Sequence, residues 1–158
     1  ALSNATQVIC DIYSRFLFES RFFEARKQGM VNAEETKKIM LEAQIEAYGD
    51  GLDHNYLHPY MWTWKPHYYD SDYSFYNYPY AFGLLLAKGL YVRYQQDPEQ
   101  FPDDYETFLS VTGKMDLEDI AKTLEIDLTD ESFWQSSIDI IKEDIDTFKT
   151  LLEEQNHA

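Results

Sequence analysis

His67 is followed by a run of phenols, Tyr68, Tyr69, Tyr73, Tyr76, Tyr78 and Tyr80. Neutral imidazole and phenol groups donate hydrogen bonds at pH 7 and suit a peptide carbonyl or the oxyanion that develops on it during hydrolysis. From Tyr73 onward, spacings of three and four project Tyr73, Tyr76 and Tyr80 to one side of a helical or turn-like backbone. Phe75, Tyr78, Phe82, Leu85 and Leu86 would then face another side as core. The same composition also suits plain aromatic packing with satisfied hydroxyls. His54 and His58 are the second candidate, four apart in "DGLDHNYLH". On a helix they would share one face at zinc-binding spacing. Asn55 stands where a zinc peptidase needs a glutamate to activate the metal-bound water, so hydrolysis by this pair is not expected. Asp50 or Asp53 could complete a structural metal site, although Gly51 and Pro59 oppose a helix there; the alternative is two hydrogen-bonding histidines near a helix end. No phosphate loop, nucleophile elbow or basic aromatic patch is present.

The elements that must position these groups read as helical nearly throughout. Val8, Ile9, Ile12, Tyr13, Phe16, Leu17 and Phe23 predict an amphipathic helix over 3–28, closed by Gly29. Asn32 and Glu35 have capping-box spacing, opening a second helix that runs to about Asp50. A non-repetitive connector holding Pro59 and Pro66 follows. A third helix is expected to start between Ser74 and Asn77, with Pro79 in its first turn, and to reach Gln96. A short helix ending at Gly113 comes next, then one capped by Asp116, and a last one capped by Thr129 or Asp130. The predicted class is all-α.

Thirteen Lys and Arg against 29 Asp and Glu give a formal net charge of −16 in 158 residues. Such a surface repels phosphate backbones and anionic membranes, so neither nucleic acid nor membrane is an expected partner. The single Cys10 excludes an internal disulfide framework and reads as a small core residue. The apolar run "YAFGLLLAKGLYV" is broken by Lys88 and too short to span a bilayer, and the N-terminus lacks an export signal, which together predict a cytoplasmic protein.

The stretch "GDGLDHNYLHPYMWTWKPHYYDSDYSFYNYPYAFGLLLAKGLY" resembles the C-terminal part of oligoendopeptidase F, in the thimet oligopeptidase-like zinc metallopeptidase family, and "ATQVICDIYSRFLFESRFFEAR" resembles the helix that precedes it there. The blocks "HPYMW", "HYY" and "FYNYPYAFG" carry the resemblance, which covers nearly the whole chain. It implies a multi-helix segment of a larger helical catalytic domain that cleaves internal bonds of short peptides. It also implies His67, Tyr76 and Tyr80 as catalytic hydrogen-bond donors, and His67, Tyr73, Tyr76, Tyr78 and Tyr80 as substrate contacts. In that family zinc is held by a His-Glu-x-x-His helix and a later glutamate, and this sequence contains no His-Glu-x-x-His.

The expectation is therefore a substrate-binding, transition-state-stabilising segment, inactive alone, whose parent enzyme uses zinc while this chain binds none. Its expected partners are an oligopeptide substrate and the N-terminal part of the same enzyme. An apolar patch around Ile9, Phe16 and Phe23 is expected to promote self-association. The alternatives are a free-standing helical peptide-binding module and a helical protein with its own metal site at His54 and His58.

Overall fold

Apolar residues three and four apart build one long helical stretch at the start of the chain. It comprises α1 (Leu2–Thr6), a π-helical turn (Gln7–Asp11) and α2 (Ile12–Gln28). In the π-helical turn the Ile12 amide reaches the Gln7 carbonyl, five residues back. Cys10 lies inside this turn and is half-buried rather than fully enclosed. The computed structural model describes residues 2–156, which form helices and turns without a strand, an all-α fold.

Asn32 opens α3 (Ala33–Tyr48) through the expected capping box. Its Oδ1 accepts from the Glu35 amide at 3.0 Å, and the Glu35 carboxylate accepts from the Asn32 amide at 2.9 Å. Phe18, Met40 and Ala43, almost fully enclosed, form the core between α2 and α3, with Phe22, Trp62 and Tyr68 packed against it. The connector after α3 is a series of short 3₁₀ turns, including Met61–Trp64, Pro66–Tyr69 and Ser71–Tyr73. α4 (Tyr78–Gln96) begins one residue beyond the expected window, with Pro79 in its first turn.

Two compact units divide inside α4, after Phe82. The second contains α5 (Phe101–Val111), α6 (Leu117–Lys122) and α7 (Glu131–Asn156). Leu90, Phe108, Ile120, Ala121, Leu124 and Ile126 are its core. Asp130 caps α7, its Oδ1 accepting from the Ser132 amide at 2.8 Å. Asp116 precedes α6 without a side-chain cap bond, and α6 stops at Lys122, shorter than the apolar pattern predicts. Gly113, at φ +79°, makes the turn after α5 that a side chain would strain. Among the described residues no helix is long and apolar enough to cross a membrane.

Candidate functional site

The connector is pinned to α2 and α3 at three points. Buried Gln44 clasps the backbone of His58: its Nε2 donates to the His58 carbonyl at 3.0 Å and its Oε1 accepts from the His58 amide at 3.0 Å. Tyr68 packs its ring 5.2 Å from Phe18, and its hydroxyl is enclosed. Burial, and then the charge of Glu19, push that phenol's pKa well above the ordinary range. Glu19, itself 5% exposed, accepts the Phe75 amide at 2.7 Å. Burial raises the pKa of its carboxyl, against the lowering effect of that bond.

Phe75 sits at φ +57°, a conformation that an aromatic side chain adopts only when its surroundings enforce it. The Glu19 bond supplies that enforcement, together with ring contacts to Phe16 and Phe23 at 5.7 and 5.6 Å. The resulting turn directs the chain into Tyr76, Asn77 and α4. Phe75, expected as core, is instead half-buried, and it packs from this turn onto the exposed rings of Phe16 and Phe23. Tyr78, expected as core, is 67% exposed instead, because α4 starts only at that residue.

His67, Tyr76 and Tyr80 line one open cleft of about 400 Å³, together with Asp11, Arg15, Lys65 and Asn77. Gln7 and Asp11, the two ends of the π-helical turn, both line it; such turns recur at functional sites. The His67 and Tyr76 rings are 6.2 Å apart, and Tyr76 meets Tyr80 edge-on at 6.1 Å. Tyr73 stands edge-on to Tyr76 at 5.4 Å, outside the cleft lining. Tyr78 is not in this group.

The chemistry of the partners determines the protonation of His67. Arg15 has donors only, so its Nη1, 3.4 Å from Asn77 Oδ1, identifies that atom as the amide oxygen. Asn77 Nδ2 therefore faces His67 Nε2, at 2.8 Å, and donates to it. A neutral ring that accepts at Nε2 carries its proton on Nδ1. Burial, then the charges of Arg15 and Lys65, hold the His67 pKa below the ordinary histidine value. The donating amide acts in the same direction, since a protonated ring would set N–H against N–H.

Asp11, paired with Arg15, secures the far end of this chain of contacts. The pKa of Tyr48 is pushed up to about 12, by burial first and by the Asp11 charge next. On the tyrosine side, the adjacent Tyr80 phenol raises the Tyr76 pKa, which keeps that phenol a neutral donor. His67, Tyr76 and Tyr80 thus bring neutral hydrogen-bond donors to the lining of one cleft.

His54 and His58 do not share a helical face, because Leu57 is extended and the backbone on either side forms separate turns. His54 Nε2 lies 3.2 Å from the Gly49 carbonyl, and His58 Nδ1 accepts the Tyr60 amide at 3.2 Å. Both imidazoles are used in holding backbone, the second of the two readings open from the sequence. Among the described residues no three His, Cys, Asp or Glu side chains converge to hold a metal ion.

Arg15, Lys65, Asn77 and Asp11 complete the site, and their residue types and spacing alone do not mark them for it. Asn77 has one local signal, its place before α4, and that signal reads as a helix cap. Comparison with known proteins adds no relative: no family model, no curated protein and no solved structure matches the chain.

Proposed function

We propose that this chain supplies the substrate-binding and transition-state-stabilising wall of a peptide hydrolase resembling oligoendopeptidase F, one that cleaves internal bonds of short peptides. In this reading the zinc and the general base come from outside the sequence, and the chain by itself has no turnover. One observation carries the reading: His67 and the Tyr76–Tyr80 pair line the same cleft, with the proton of His67 placed on Nδ1 by Asn77. Neutral donors held in fixed orientation stabilise a developing oxyanion without reorganising during the reaction. Tyr73 and Tyr78, both more than half exposed, would extend the wall along a bound peptide.

The test is binding of N-acetylated oligopeptides to the purified chain, followed by calorimetry. His67→Ala, Tyr76→Phe and Tyr80→Phe are each expected to weaken binding severalfold, the value of one hydrogen bond to a peptide. Wild-type affinity in all three variants would overturn the wall, and chelator-sensitive hydrolysis by the pure chain would overturn the external metal. A second reading, a peptide-binding module without chemistry, uses the same wall. Restored hydrolysis on adding a zinc-bearing partner segment would decide against it.

A further inference from the structure

Basic side chains gather in this cleft although the chain as a whole is strongly acidic. Arg15, Lys65 and His67 all line it, in a protein of net charge −16. Among the described lining residues Asp11 is the acid, and Asp11 is already paired with Arg15. His67 is uncharged at neutral pH, held so by burial and by its cationic neighbours. Lys65 forms no ion pair with any described carboxylate; its ammonium lies 3.5 Å from the centre of the Trp64 ring. Burial, then the Arg15 charge, disfavours the charged form of Lys65. The lining therefore presents one uncompensated positive charge, held beside neutral donors at some cost to itself.

We propose that the cleft takes the free C-terminal carboxylate of an oligopeptide, with the Lys65 ammonium as its counter-ion and the His67 and Tyr76–Tyr80 donors directed at backbone carbonyls. This rests on the peptide-wall reading and adds which end of the peptide is held. A single positive charge matches a monoanion. A dianionic phosphate would leave one negative charge unmatched inside an acidic protein. A chain advances at most about 3.6 Å per residue, so in a short peptide the terminal carboxylate is never more than a few residues from the bond at the wall. Lys65 would thereby select short peptides with a free end over internal segments of folded proteins.

Three N-acetylated probes separate the sources of carboxylate: pentaalanine with a free C-terminus, the same peptide amidated, and the amidated peptide with a central glutamate. Binding is read by calorimetry and by fluorescence of Trp64 and its fellow tryptophans. The free acid is expected to bind about tenfold tighter than the amide, the worth of one charge-assisted contact. Lys65→Met is expected to abolish that difference and Lys65→Arg to retain it. Equal binding of acid and amide to the wild type would overturn the carboxylate proposal while leaving the wall intact, whereas binding of neither would overturn both. Glutamate-bearing amide as tight as the free acid would overturn the terminal assignment. Inorganic phosphate displacing the acid more strongly than acetate would overturn the choice of a monoanion. The comparison of peptides on the wild-type chain stands even if Lys65→Met fails to fold.

Discussion

At the scale of single residues, the protonation of His67 depends on an amide. Asn77 donates to Nε2 because Arg15 occupies its oxygen, so the neutral ring is the form the fold supports. The folded pKa lies below the unfolded value of about 6.5. His67 therefore contributes stability that is present above pH 6.5 and is lost as pH falls through the lower folded value. Asn77→Asp would replace the donor with a carboxylate that favours the imidazolium, and the His67 pKa is expected to rise relative to wild type. Histidine ring shifts followed by NMR across pH 4 to 8 check this. An unchanged pKa would mean that Asn77 does not face the ring as described.

At the scale of elements, two glycines in α4 show how differently one helix treats its faces. A Cβ built on Gly89 would lie 2.4 Å from Phe133 Cζ and 2.9 Å from Ser137 Oγ, both on α7. Phe133 cannot swing aside freely, since its ring packs against the core of the second unit and lies edge-on to Trp134 at 5.0 Å. Gly83 has nothing within 4 Å of the corresponding position. Alanine gains about 1 kcal/mol over glycine in a helix interior, while overpacking costs about 1–3 kcal/mol. Gly83→Ala is thus expected to stabilise by up to about 1 kcal/mol and Gly89→Ala to destabilise by about 1–2 kcal/mol. Urea denaturation distinguishes the two directions; stabilisation by both would show that α7 does not approach α4 so closely.

At the scale of the whole molecule, charge and exposed apolar surface oppose one another. Tyr13, Phe16 and Phe23 on α2 are each more than 40% exposed, and the Tyr13 and Phe16 rings stack on one another at 6.5 Å. Such a stripe favours association, whereas a net charge of −16 resists it through repulsion that salt screens. Self-association is therefore expected to be weak at low ionic strength and to strengthen with added sodium chloride. Sedimentation velocity over a wide concentration range at 20 and 500 mM salt checks this. A monomer throughout would show that the stripe, with Phe75 packed against Phe16 and Phe23, is already sufficiently covered.

Features made by neighbours along the chain are legible in the order of the residues alone. The Asn32–Glu35 capping box, the start of α4 around Pro79, the turn at Gly113 and the Asp130 cap are all contacts over a few residues. Local sterics and hydrogen bonding suffice to specify them. The spacing of Tyr76 and Tyr80 belongs to the same class, and those rings do meet. The partners of the site belong to another. Arg15 reaches Asn77 across 62 positions, and Glu19 reaches Phe75 across 56. No periodicity records such pairings, because they exist only once α2 packs against the connector and excludes water from the groups between them. The all-α class, the local caps and the acidic surface follow from the residues in their order, whereas the π-helical turn, the end of α6, the tautomer of His67, the exposure of Tyr78 and the neighbours of Lys65 follow from packing.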